Sequence, residues 1–235
     1  MKIIAHRGYS FKAPENSISA FKEAFKVSSD GIELDIHLTK DDKIVVMHDE
    51  RTKTTSNGDL LIKDTELSEL KKLDIGSWKG EQWKEEIISE LSEVFNIVPK
   101  QTEIVIEIKS NIEIIPMLVK YVNESKKIED EITFISFNDS IYKIKETFPN
   151  IKALPLYGEY DNIEEIIEKT KANNCDGLDL NWEHLTSDIV RKIKNADLQL
   201  YVWTVDDINI ARKMKLMGVD ALTTNNPELM INELI

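Results

Sequence analysis

The segment "IIAHRGYSFKAPENS" (3–17) leads from an apolar run directly into His6 and Arg7, an imidazole beside a guanidinium. Glu33 and Asp35 alternate with Ile32, Leu34 and Ile36 in "GIELDI", and Glu107 and Lys109 alternate with Ile104, Ile106 and Ile108 in "IVIEIK". At a period of two, each polar pair shares one face of a strand and the aliphatic residues take the other. Three carboxylates gathered in one place are costly unless a cation compensates them. Their hard oxygens suit Mg²⁺ or Ca²⁺ rather than zinc, so Glu33, Asp35 and Glu107 are candidate ligands of one divalent cation. The structural alternative is a salt-bridge network of the same acids with Arg7 and Lys109.

Of four histidines, His6 ends the first apolar run and His48 ends "KIVVMHD". Two imidazoles meeting across a metal form an acid/base pair suited to neutral pH. His37 and His184 are expected to be structural or surface groups. Arg7 and Lys109 supply the local positive charge that an anionic substrate needs, and arginine's planar fork fits the paired oxygens of a phosphate. Trp203, at the end of "LQLYVWTV", is a candidate wall of the substrate cleft, whereas Trp78 reads first as a packing residue.

These groups meet only if the chain brings strand ends together. Eight β-type runs, at 2–5, 31–36, 104–109, 132–137, 152–157, 176–180, 198–205 and 219–224, alternate with helical spacing at 17–27, 86–97, 112–123, 140–147, 163–172, 187–195, 208–217 and 228–234. Such alternation predicts an α/β fold of the TIM (β/α)8 type, in which function collects at the C-terminal strand ends. The run 43–49 follows 31–38 too closely for a parallel crossover, so it returns as a β-hairpin extension after strand 2. A two-residue turn at Asp41-Asp42 places Leu38 opposite Val45 and Asp35 opposite His48. Residues 50–85 read as a small insertion packed on the catalytic side, within a single domain spanning 1–235.

The length of 235 residues and a hydrophobic share of 41% allow a sizeable core. The single cysteine, Cys175, excludes an internal disulfide, and no Cys/His spacing fits structural zinc. No apolar run approaches the roughly 18 residues of a membrane span, and no signal segment opens the chain, so a soluble, cytoplasmic protein is expected. The formal net charge of −13 argues against nucleic acid and against stable association with anionic membranes. A small anionic substrate fits instead, and homo-oligomerisation stays open.

Taken together, "AHRG", "APENS", "GIELDIHLTKDDKIVVMHDE", "LDIGSW", "IVIEIK", "YVWTVDD" and "GVDALTTNNPE" resemble the glycerophosphodiester phosphodiesterase family, in order from His6 to Pro227. The resemblance implies a TIM-barrel enzyme that uses one divalent metal to hydrolyse glycerophosphodiesters to sn-glycerol 3-phosphate and an alcohol. By position it implies Glu33, Asp35 and Glu107 as metal ligands, His6 and His48 as the acid/base pair, and Arg7 and Lys109 as phosphate contacts. Glu15 and Asn16 match the family's "PEN" turn, with Asn16 anchoring the loop after the first strand and Glu15 reaching the metal sphere or holding Arg7. Three positions depart from the family pattern: Asp206 stands for Asn, Asn225 for Asp, and Lys53 for a frequent Arg. The first two read as an exchange of hydrogen-bonding partners at the rim. The competing readings are a lysophospholipase D-type barrel acting on lipids and a non-catalytic barrel that binds phosphodiesters or metal.

Overall fold

The computed structural model describes every residue except 126, 128 and 235. Its strands are β1 (Lys2–Ala5), β2 (Gly31–Leu38), β3 (Ile44–Val46), β4 (Glu103–Ile108), β5 (Ile132–Ser136), β6 (Lys152–Tyr157), β7 (Gly177–Asn181), β8 (Gln199–Trp203) and β9 (Ala221–Thr224). Eight run parallel in the order β1-β9-β8-β7-β6-β5-β4-β2, and β1 also pairs with β2, which closes the ring. β3 lies antiparallel on the far end of β2. The helices are α1 (Ile18–Lys26), α2 (Leu67–Leu70), α3 (Leu91–Ile97), α4 (Ile115–Glu124), α5 (Ser140–Thr147), α6 (Ile163–Ala172), α7 (Ser187–Asn195), α8 (Ile208–Met217) and α9 (Pro227–Leu234). This is a TIM barrel, as the alternating pattern predicts. Among the described residues no helix is long and apolar enough to cross a membrane.

The alternation within each strand sorts side chains into two layers. Ile4, Val105, Ile135, Leu154, Leu156, Tyr201 and Ala221 fill the barrel interior, while Ile32, Leu34, Ile36, Ile104, Ile106 and Ile108 pack outward against the helices. Each such fully buried side chain contributes about 1.5–3 kcal/mol. Helix starts carry their own signals: the Ser17 hydroxyl accepts the Ala20 N–H ahead of α1, and the Asp207 carboxylate accepts the N–H groups of Asn209 and Ile210 ahead of α8.

At the N-terminal end of the barrel, Glu103 is 4% exposed and accepts from four donors. Lys2 Nζ lies 2.6 Å from it, Lys152 Nζ 2.7 Å, the Tyr201 hydroxyl 2.7 Å and the Thr133 hydroxyl 2.6 Å. The two lysines and the hydroxyls outweigh the cost of burial and hold this carboxyl down at about 2.

Two expectations need correction. The hairpin has a three-residue turn, Lys40-Asp41-Asp42, with Asp42 left-handed at φ 56°, and Thr39 N–H donates to Lys43 O across 2.8 Å. Leu38 therefore faces Ile44, and His37 faces Val45, one residue off the expected register. The two-residue turn fails because Asp at the third loop position adopts the left-handed conformation that a longer, bulged turn needs. Residues 86–90 are not helical: Ile88 is buried beneath the hairpin with Val45, Met47, Ile62, Leu70 and Ile75, and Glu90 bridges to Val45. Helix α3 starts only at Leu91, where the Glu93 carboxylate reaches back to the Glu90 N–H.

Residues 50–85 form short 3-10 turns and the helix α2 around this small apolar cluster. They approach the catalytic end through Lys79 Nζ, which donates to Ser10 O at 2.7 Å.

Candidate active site

At the C-terminal end of the strands, His6, Arg7, Glu33, His48, Glu107, Lys109, Asp179 and Trp203 line one cavity of about 110 Å³. β1 delivers the first two through a sharp turn. Arg7 is left-handed at φ 54° and its N–H donates to Glu33 Oε2 at 2.9 Å. Gly8 follows at φ +78°, where an added Cβ would stand 2.6 Å from the Ala20 backbone. Only glycine lets β1 turn away so close to α1.

Asn16 ties this loop to β2. Its Nδ2 donates to Asp35 Oδ2 at 2.8 Å, its Oδ1 accepts the Asp35 N–H at 3.2 Å, and its own N–H donates to Arg7 O at 2.9 Å. Glu15 holds Arg7, its Oε1 accepting from Nη1 at 2.7 Å.

Glu33, Asp35 and Glu107 come together as their spacing predicts. Each offers an oxygen, and these atoms lie within 4.8 Å of one another. All three acids are buried, and Glu33 Oε1 makes no hydrogen bond among the described residues. Lys109 Nζ sits 2.5 Å from Glu107 Oε1 and 3.0 Å from Asp35 Oδ1, and Arg7 Nε lies 3.4 Å from Asp35 Oδ2. The cations divide unevenly. Burial would raise Asp35, but Lys109 and Arg7 hold it below the usual range. Burial, then Asp35 and Glu107, drive Glu33 well up, while burial and Asp35 push Glu107 up to about 7. A trio in which Glu33 Oε1 and Asp35 Oδ1 both lack a hydrogen bond among the described residues, and which carries surplus negative charge, fits a divalent cation.

The two histidines are held differently. His6 Nδ1 lies 2.8 Å from Asn225 Oδ1. Asn225 Nδ2 donates to Asp206 Oδ2 at 2.6 Å, and a carboxylate only accepts, so the amide must turn its oxygen to the imidazole. His6 therefore carries its hydrogen on Nδ1 and leaves a lone pair on Nε2, 3.9 Å from Glu33 Oε2. Burial and the Arg7 charge lower His6 to about 4, so the ring is neutral at neutral pH. The departures at 206 and 225 do bond to each other, as the expected exchange requires.

His48 Nδ1 lies 2.7 Å from Asp49 Oδ1. It reaches the cavity despite the shifted register because β3 ends at Val46 and the chain leaves the sheet. His37 has a structural part: its Nε2 lies 3.0 Å from the backbone oxygen of His48. His184 and Trp78 are exposed and stand outside the cavity.

Trp203 lines the cavity and meets Phe137 edge-on, with ring centroids 5.6 Å apart. The sequence reading missed Phe137 and Asp179. Phe137 closes the apolar run 132–137 and carries no chemical signal of its own, whereas Asp179 has a usable signal: it takes an inward position in "GLDLN" between residues that face out.

Residues 6–229 match the model of the Glycerophosphoryl diester phosphodiesterase family. A glycerophosphodiester phosphodiesterase of Caldanaerobacter subterraneus subsp. tengcongensis is 37% identical, covering 98% of this chain and 96% of its own. A phosphodiesterase structure from Oleispira antarctica, solved with the product sn-glycerol-3-phosphate, superposes with a TM-score of 0.92 at 29% identity over 100% of this chain and 96% of that one. A glycerophosphodiester phosphodiesterase structure from Thermotoga maritima gives a TM-score of 0.83 at 30% identity, covering 99% of this chain and 97% of that one. The chain belongs to the glycerophosphoryl diester phosphodiesterase family.

Proposed function

We propose that this chain hydrolyses glycerophosphodiesters to sn-glycerol 3-phosphate and an alcohol, with His6 as general base and His48 as general acid. The observation that carries the reading is that two histidines, Arg7 and Lys109 line one cavity with Glu33 and Glu107, which cluster with Asp35. Glu33, Asp35 and Glu107 would hold one divalent cation, Mg²⁺ or Ca²⁺, by their hard oxygens. When bound, that cation supplies positive charge against the phosphate oxygens and orients the substrate.

The protein's own groups do the rest. Arg7 and Lys109 bind phosphate oxygens and offset the charge that builds on them. His6 Nε2, unprotonated and held by Asn225, removes a proton from the attacking water, or from the glycerol 2-hydroxyl to give a cyclic phosphate that a water then opens to glycerol 3-phosphate. His48, oriented through Nδ1 by Asp49, protonates the departing alcohol oxygen. Trp203 walls the cleft.

Release of glycerol 3-phosphate from a panel of glycerophosphodiesters, assayed with EDTA and then with each cation restored, tests the reading. Chelation is expected to abolish turnover and Mg²⁺ or Ca²⁺ to restore it. Turnover indifferent to chelation would refute the metal assignment.

A further inference from the structure

Nothing in the chemistry above uses Asp179. It stands on β7 at 1% exposure, lines the cavity, and its Oδ1 makes no hydrogen bond among the described residues. It forms no ion pair among them either, unlike Asp35 and Glu107. Its neighbours in register are Leu156 on β6 and Tyr201 on β8. Leucine offers no hydrogen bond, and the Tyr201 hydroxyl is committed to Glu103 at the other end of the barrel. The described residues thus supply this carboxyl with no hydrogen-bond or ion-pair partner, and a buried polar group left that way is costly.

A second group shares the predicament. Trp203, two residues beyond Tyr201 on β8, lines the same cavity, and its Nε1 is buried without a hydrogen-bond partner among the described residues. An indole N–H only donates, whereas a carboxyl accepts when ionised and can also donate when protonated. A hydroxyl both gives and takes a hydrogen bond, so it complements either form of Asp179 together with the indole.

The cavity is also graded in depth. Its lining acids Glu33, Glu107 and Asp179 are each at most 8% exposed, whereas Phe137 at the mouth is 56% exposed. The invariant glycerol of these substrates fits the deep end and the variable alcohol the mouth.

We propose that Asp179 and the Trp203 indole form a subsite that receives a free hydroxyl of the substrate's glycerol, an assignment that rests on the phosphodiesterase reading above. Asp179 is then a specificity-determining residue, since it rewards substrates that carry the hydroxyl.

Two measurements test this with the full-length protein and the variants Asp179→Ala, Asp179→Asn and Trp203→Phe. The first is the ratio of kcat/KM for a glycerophosphodiester to that for bis(p-nitrophenyl) phosphate, which has no hydroxyl. That ratio is expected to fall about tenfold or more in Asp179→Ala, less in Trp203→Phe, and least in Asp179→Asn, whose amide can still donate and accept. The second needs no turnover: calorimetric affinity for glycerol 3-phosphate is expected to drop in Asp179→Ala while that for ethyl phosphate holds. An unchanged ratio, or equal weakening of both ligands, would overturn the subsite. A wild-type protein that binds glycerol 3-phosphate through Asp179 yet cleaves no glycerophosphodiester would overturn the activity and leave the subsite standing.

Discussion

Glu103, at the N-terminal end of the barrel, meets four donors, whereas at the C-terminal end Arg7 and Lys109 pair with Asp35 and Glu107 and leave Glu33 and Asp179 without a lysine or arginine side chain among the described residues. Both ends bury acids among the same strands. One saturates its carboxyl and the other leaves oxygens unserved, with Glu33 Oε1 and Asp179 Oδ1 lacking any partner among the described residues. The difference teaches where the fold spends its stability. A saturated buried carboxylate fastens strands together, and an unsaturated cluster is tolerated only where a ligand completes it.

The sharpest way to break this contrast is at the histidines. His6→Ala or His48→Ala is expected to lower kcat by about 10²–10⁴-fold with a much smaller change in KM and in the urea midpoint. Steady-state kinetics and denaturation on the same preparations check both halves; near-normal turnover in either variant would remove that residue from the mechanism.

Glu103→Ala is the converse experiment. It strands Lys152 and Lys2 beside an empty site and is expected to cost about 2–4 kcal/mol of stability, while kcat is retained. A matching fall in kcat would mean that the two ends are not separable.

Acid and base should also act on the ends with opposite sign, a smaller effect. Glu103 is held at about 2, below the ordinary 4.5, so its stabilisation is complete above 4.5 and is lost as pH falls towards 2. Glu107 sits at about 7, so the metal-free native state binds its proton more tightly than the unfolded chain does. Stability is therefore expected to decline as pH rises from 4.5 to 7 in metal-free protein, and Glu107→Gln should flatten that slope in urea melts.

Much of this was legible from periodicity. Alternating acids and aliphatics in "GIELDI" and "IVIEIK" can satisfy both layers of a barrel only with the acids inward, so the carboxylate cluster follows from spacing alone. What escaped has local causes. The hairpin register turned on Asp42 accepting a left-handed conformation, a choice of one residue's φ that hydrophobic pattern does not record. Residues 86–90 carry helical spacing, yet the small apolar cluster under the hairpin claims Ile88 and holds the segment extended. The tautomer of His6 depends on which way an amide 219 positions away is turned, and only the Asp206 contact decides it.

That last bond couples the reaction to the order in which the chain is made. His6 emerges 219 residues before its acceptor Asn225, which follows β9, the strand that pairs with both β1 and β8 to shut the ring. Until β9 inserts, β1 and β8 each lack a neighbour and the imidazole lacks the oxygen that aims it. A nascent chain can bury most of its hydrophobic surface and still be catalytically silent, so the onset of turnover during synthesis or refolding would serve as a clock for barrel closure.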